Sequence, residues 1–400
     1  MAQNNKRPLV ILFITIFFDL VAFGIVIPIL PIYAEDLGAS GTLIGVIMGS
    51  FAFMQFFFAP FWGNLSDRIG RRPVLLASIA LICASYVLLA FAHTLFLLLL
   101  SRMLAGIGAA NISTAYAFIS DMTPPERRAK NFGIVGAAFG MGFIFGPPLG
   151  GFLKDNFGME WVGFASAGLA FLNIILAYFM LPESLEKKNP SARLMPNPFK
   201  EIQAILPQVK IRAHMLNYFI FLSGFSMMHI TASLLWEQRY ELSEAEIGYV
   251  YAFIGLSVAL VQGLLIGPAT KWFGEKALYV SGAIIMGVGL LAMPFVPVNQ
   301  FIPWELVALL IIAVGNGFFN PTVSSLVSKT ANKAEQGKMM GLMQSVGSLS
   351  RIAGPVLGGA LYGIAVYMPY IVAAIMMAGV ALLALAAINN IHSRHTKTAA

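Results

Sequence analysis

Four ionisable side chains stand where a lipid-covered chain keeps charge least easily. Asp19 lies in the middle of one apolar run, Arg102 and Arg351 lie within two others, and His229 lies in a fourth. A charge in hydrocarbon is costly, so each is a functional candidate by default. A carboxyl such as Asp19 can load and release a proton; the alternative is a structural acid paired with a neighbouring helix. A histidine titrates near neutral pH, which makes His229 a second proton candidate, against the alternative of a satisfied core residue. Arg351 lies at a depth similar to that of Asp19. It either pairs with that acid or presents a positive charge to an anionic substrate. Arg102 lies nearer one end of its run, where it either acts inside the membrane or snorkels to the outer interface.

The elements that must hold these groups follow from composition. The chain has 400 residues, 58% hydrophobic and 11% charged, with a mean hydropathy of +0.80. A soluble domain carries about 25% charged residues, so lipid must cover this one. Apolar runs of about 20 residues, enough to cross a bilayer, occur at 9–31, 42–62, 74–93, 95–119, 131–153, 161–181, 213–236, 247–269, 277–297, 304–327, 338–362 and 367–388. The seventh is interrupted by Asn217, Ser223, Ser226 and His229. No segment alternates as a membrane barrel strand would. The start MAQNNKRP leads into a first run too long for a signal-peptide core, so that run is read as retained. The single Cys83 forms no internal disulfide. There is no GxxxxGK[ST] loop, HExxH or cysteine pair, so no nucleotide, metal or other cofactor is expected, and no enzyme.

Lysine and arginine set the orientation. With the N-terminus inside, only Lys154 and Arg239 of the 25 basic residues fall in outer segments, with Arg102 and Arg351 inside runs. Both termini are then cytoplasmic, and the net charge of +7 reflects topology rather than a nucleic-acid partner. The polar break 182–212, rich in proline, reads as a cytoplasmic linker with a short surface helix near 199–206. It divides an N-terminal bundle (1–181) from a C-terminal one (213–400). The halves repeat: GIVGAAFGMGFIFGPPLGG (133–151) aligns without gaps to GLMQSVGSLSRIAGPVLGG (341–359). On that alignment Leu310 corresponds to Arg102 and Phe143 to Arg351. Parallel half-repeats describe a two-bundle secondary transporter with its site near the midplane.

One stretch concentrates charge between runs two and three, GNLSDRIGRRPVL (63–75). It reads as a cytoplasmic turn in which Gly63 and Gly70 allow tight turning. Arg68, Arg71 and Arg72 suit the inner face, whereas Asp67 runs against the positive-inside rule and calls for a fixed partner. A weaker echo, GPATKWFGEK (267–276), keeps both glycines but has Lys271 and Glu275 in place of Asp67 and Arg71, and reads as a degraded copy.

Together with twelve runs, this stretch resembles the signature loop of the major facilitator superfamily. The resemblance covers nearly the whole chain and implies an all-α membrane fold of two six-helix bundles. In the family the acid faces the start of helix 11, where a helix N-terminus favours an anion, and the arginines face an acid at the foot of helix 4, here Asp121. These contacts latch the outward-open state; the alternative is topogenic charge alone. LSRMLAGIGAA (100–110) resembles the family's second motif, whose arginine is linked to proton transfer. GFIFGPPLGG (142–151) resembles its antiporter motif, which implies that Gly142, Gly146, Pro147, Gly150 and Gly151 press helix 5 against helix 8.

The resemblance extends to the superfamily's bacterial drug/proton antiporters, including tetracycline and multidrug pumps of the cytoplasmic (inner) membrane. It implies proton-coupled efflux of amphipathic small molecules by a monomer, with Asp19, Arg102 and His229 in proton coupling. Phe23, Ile27, Asn111, Tyr116, Tyr218, Phe225, Asn316, Phe319, Asn320 and Arg351 are candidate cavity residues, an aromatic and weakly polar set suited to promiscuous binding. Tetracycline pumps also carry membrane acids in helices 3 and 9, where this chain reads CASYVLLAF (83–91) and SGAIIMGVG (281–289). An exporter or exchanger of an anionic metabolite or lipid, anchored by Arg351, is the second reading. A sensor that has lost transport is a third, disfavoured by the intact Asp19, Arg102 and GPPLGG.

Overall fold

Each of the twelve apolar runs falls on helix in the computed structural model, which describes residues 7–123, 125–186, 188–190, 194, 199, 203, 209–330 and 336–397. No strand occurs among these residues. The helices are α1 (Arg7–Val26), α2 (Leu30–Asp36), α3 (Gly41–Ile69), α4 (Arg71–Ala90), α5 (Leu95–Gly108), α6 (Ile112–Asp121), α7 (Pro125–Phe157), α8 (Met159–Met180), α9 (Val209–Tyr240), α10 (Glu244–Leu260), α11 (Ile266–Ala292), α12 (Phe301–Thr330), α13 (Gln336–Tyr362) and α14 (Met368–Lys397). By length and apolarity alone, nine candidate spans are found among the described residues. One of them, Glu244–Phe295, holds both the eighth and ninth runs. The fifth and eleventh runs lie on α7 and α13, which are outside that count. The expected surface helix near 199–206 lies largely outside the described residues.

Local chemistry explains where the helices break. Pro28 and Pro31 divide the first run into α1 and α2, because proline removes a helix N–H and crowds the preceding turn. The fourth run tightens into a 3₁₀ turn at Ala109–Asn111. Side chains serve the carbonyls around that turn. Gln55 Nε2 donates to Ala109 O (3.1 Å) and Trp62 Nε1 to Ile107 O (2.6 Å). Asn111 Nδ2 donates to Ser78 Oγ at 2.8 Å. The seventh run, the least apolar by sequence, is the unbroken α9. Its interruptions are explained by enclosure, since Asn217, Ser223 and Ser226 are buried, as polar residues in a membrane helix should be.

The turn at 63–75 differs from its sequence reading. Helix α3 continues through Gly63 to Ile69, and Gly70 alone turns the chain before α4. Its φ of 119° with ψ of 157° is a conformation only glycine holds without strain. Gly274, with φ 76° and ψ 158°, repeats that backbone within α11. Between α10 and α11 lies a π turn, Val261–Leu265.

The helices form two compact units. The first comprises Met1–Ala39, Ser50–Asn197 and Glu241–Leu256, and the second Ser40–Gly49, Pro198–Tyr240 and Ser257–Ala400. Helices α3 and α10 therefore each begin in one unit and end in the other. The first unit has an apolar core around Leu12, Leu75, Ile79, Phe118, Ile119 and Leu181. In the second, Phe319 lies stacked between Phe221 (centroids 3.8 Å apart) and Tyr279 (5.1 Å).

Candidate functional site

In the first unit Asp19 is half-buried on α1, and its Oδ1 accepts a hydrogen bond from Asn173 Nδ2 of α8 at 2.9 Å. The same amide nitrogen donates to Thr15 O at 2.9 Å. Asn173 is fully buried and fixed from two directions, so it presents a neutral donor rather than a cation to the acid. Tyr86 of α4 and Arg102 of α5 are both buried, and Tyr86 is within electrostatic reach of both Arg102 and Asp19. Arg102 does not snorkel: it is 2% exposed, and its Nε and one terminal nitrogen have no hydrogen-bond partner among the described residues. Sequence reasoning missed Asn173 and Tyr86. Their signal was a single polar residue in the middle of the sixth run and a tyrosine within CASYVLLAF.

Close approach of α1 and α7 builds this unit. A β-carbon on Gly142 would fall 2.7 Å from Leu20, and one on Gly146 2.7 Å from the Gly24 backbone. One on Gly150 would collide with Ile25 O. The small-residue face expected to meet helix 8 is thus spent mainly on helix 1. Contact with helix 8 comes from the other side of the motif. Gly151 abuts Glu244, the carbonyl of Pro147 lies 2.5 Å from where Gly248 would carry a β-carbon, and Phe143 abuts Gly255. Lys154 Nζ adds an ion pair to Glu244 Oε1 at 3.3 Å, and Asp155 Oδ2 accepts from Ala245 N at 3.0 Å. Burial, with Glu244 alongside, pushes the Asp155 carboxyl up. In the second unit Gly354 and Gly358 seat α9 at Ser223 and Met227, while Gly359 and Pro355 meet Gly41 and Gly45.

At the α3–α4 turn Arg71 is nearly buried and binds three oxygens. One terminal nitrogen lies 2.6 Å from Asp67 Oδ1 and donates to Ser66 Oγ at 2.6 Å; Nε lies 3.1 Å from Asp121 Oδ2. Ser184 Oγ donates to the same Asp121 oxygen at 3.0 Å. Glu183, which sequence reasoning missed, caps α4 by accepting from Arg71 N (2.8 Å) and Arg72 N (3.2 Å). An anion at a helix N-terminus is favoured by the unpaired N–H groups there. Arg72 donates to Tyr178 O and stacks over the Tyr178 ring at 5.5 Å. Arg68 lies on the last turn of α3.

The echo at 267–276 is not a degraded copy. Glu275 accepts from Lys329 Nζ at 2.7 and 2.8 Å and from Ser325 Oγ at 2.8 Å. Where the first unit has arginine on the helix after the turn and an acid at the foot of the next, the second has the acid first and the cation second. The Lys329 ammonium holds the Glu275 carboxyl below its ordinary value.

The cavity candidates divide between the units. Phe23 packs against Phe51 (5.4 Å) and Phe143 (6.3 Å). Ile27 lies in the turn after α1, and Tyr116 is half-buried beside the α1–α4–α6 core. Asn111 donates to Ser78 Oγ, and Phe319 lies in its ring stack. In the second unit Arg351 is half-buried, donates to Ser348 Oγ at 3.3 Å, and lies within electrostatic reach of Tyr218. Phe225 and His229 are neighbours, with ring centroids 6.0 Å apart. Asn320 donates to Asn316 one turn before it.

The family model for the major facilitator superfamily matches residues 12–353 and 215–399. The chain belongs to this superfamily. The tetracycline resistance protein, class C, of Escherichia coli is 32% identical over 370 residues, covering 90% of this chain and 91% of that protein. Multidrug resistance protein 2 of Bacillus subtilis is 27% identical, covering 94% of each. The crystal structure of the human organic anion transporter MFSD10 (TETRAN) aligns with a TM-score of 0.72 at 25% identity, covering 95% of this chain and 99% of that one. As a superfamily member the protein is a multi-pass membrane transporter of small molecules, not an enzyme.

Proposed function

We propose that this superfamily member exports amphipathic small molecules in exchange for protons, as a monomer, by alternating access across a bacterial cytoplasmic membrane with both termini inside. The observation that carries the reading is Asp19 held by the neutral amide of Asn173. An acid bound to an amide exchanges its proton without first breaking an ion pair. Tyr86 and Arg102 complete the group, with Arg102 tuning the acid. One charge crossing 100 mV contributes about 2.3 kcal/mol, roughly a 50-fold concentration ratio. The turn around Gly70, with its ion pairs to Asp67 and Asp121, gates the cycle. The sequence likeness to tetracycline and multidrug resistance proteins supports efflux.

A second reading, an exporter of organic anions, is favoured by the half-buried Arg351 with Ser348 and Tyr218. It is also favoured by the likeness to a structure described as an organic anion transporter. Everted vesicles separate the two. Tetracycline or a cationic dye should collapse a pre-formed pH gradient on the first reading, and only an anionic dye on the second. No response to any of the three overturns both.

A further inference from the structure

Glu305 is the second residue of the tenth apolar run. In the structure it is fully buried. Its Oε1 accepts from the indole Nε1 of Trp236, itself fully buried, at 2.7 Å. Its Oε2 is buried with no hydrogen-bond partner among the described residues. An indole N–H only donates, so it serves Oε1 whether the carboxyl is charged or neutral. Oε2 is left as the oxygen that gains or loses a proton.

A second orphan lies on the same helix face. Ser233 is fully buried, and its Oγ has no hydrogen-bond partner among the described residues. Residues 229, 233, 236 and 240 recur at helical spacing along one face of α9. Ser233 is about 4.5 Å along the axis from Trp236, and His229 about 6 Å further. On α9, Tyr240 is within electrostatic reach of Glu305; its hydroxyl donates to Val296 O at 2.9 Å, and Arg239 lies beside it. On α11, which packs along α12, Tyr279 is engaged elsewhere, with Asn217 at 2.8 Å and His214 at 3.2 Å.

We infer that Glu305 is a second proton-exchanging carboxyl, in the unit that lacks Asp19. This rests on the proton-coupled reading above. On the topology set by lysine and arginine, Glu305 lies at the outer end of α12. The Glu305 carboxylate takes a proton at Oε2 from the outer aqueous side and becomes a neutral acid. It gives the proton up again from Oε2 as access alternates, and the carboxylate is restored.

The test uses the purified full-length protein and acid-minus-base infrared difference spectra in the protonated-carboxyl stretch. Glu305→Gln keeps an acceptor for the indole and should remove one titrating band; Asp19→Asn should remove a different one. Trp236→Phe should move the midpoint of the Glu305 band and leave the Asp19 band in place. Spectra of Glu305→Gln that superimpose on wild type overturn the inference. In proteoliposomes, Glu305→Gln should flatten one limb of the pH profile of tetracycline-driven proton flux. A uniform loss at every pH indicates a structural role and also overturns it. Absent flux in wild type defeats tetracycline export, and the infrared bands still decide the proton at Glu305.

Discussion

The turns at Gly70 and Gly274 share a backbone and differ in charge. Gly70 and Gly274 take the same extended, positive-φ conformation. Around Gly70 an arginine on the following helix pairs with the acid Asp121; around Gly274 an acid on the following helix pairs with Lys329. The fold thus asks for a glycine turn bridged by an ion pair and is indifferent to which helix carries which sign. The membrane interior teaches the opposite lesson. Matching the glycine contacts of α7 on α1 with those of α13 on α9 sets Phe221 at the place of Asp19. Matching Gly108 on Ser78 and Ile82 with Gly315 on Gly282 and Met286 sets Leu290 at the place of Tyr86. It also sets Leu309, not Leu310, at that of Arg102. All three replacements are fully buried apolar residues. The polar group around Asp19 is therefore not required by the architecture.

Importing the second unit's residue should have the largest effect. Arg102→Leu should cut proton-coupled transport by about 100-fold, the lower range for loss of a proton-transfer group. It should also raise the melting temperature, because it removes a buried cation short of acceptors. A variant with lower stability and unchanged transport would break the comparison. Next come the two turn glycines. Gly70→Ala should destabilise by about 1–3 kcal/mol of backbone strain, and more through the clash with Glu183. Gly274→Ala meets open space and should show the strain alone. Equal unfolding temperatures for the two would mean that Glu183 does not cap α4 as described.

Exchanging the charges tests the inverted pair. Glu275→Lys or Lys329→Glu alone should each destabilise, and the double variant should recover most of the loss. The coupling should be about 0.2–1 kcal/mol, as for other exposed pairs. The smallest effect is on pH. Because the folded-state value of Glu275 lies below its ordinary 4.5, its contribution is complete above that value. The contribution fades as pH falls through the folded-state value. Thermal scans on the acid side should show this slope in wild type and its loss in Glu275→Gln.

The fold was legible because a bilayer imposes run lengths and charge asymmetry on any sequence that crosses it. Asp19 and Arg102 were legible because charge is rare in apolar runs. Asn173 and Glu183 were not, since each has meaning only through a residue more than a hundred positions away, and Tyr86 was not, since it has meaning only beside Asp19 and Arg102 on other helices. The inverted pair was misread for a similar reason: Glu275 alone looks like a lost arginine, and only Lys329 beside it shows the sign exchange. Local patterning likewise placed the glycines of α7 on a helix face without saying which neighbour they meet.

Asp19 as the proton carrier is tested most directly by separating exchange from coupling. In proteoliposomes, Asp19→Asn should keep tetracycline counterflow, which needs only the alternating cavity, and lose accumulation driven by a pH gradient. Gradient-driven accumulation at the wild-type rate in that variant would contradict the account.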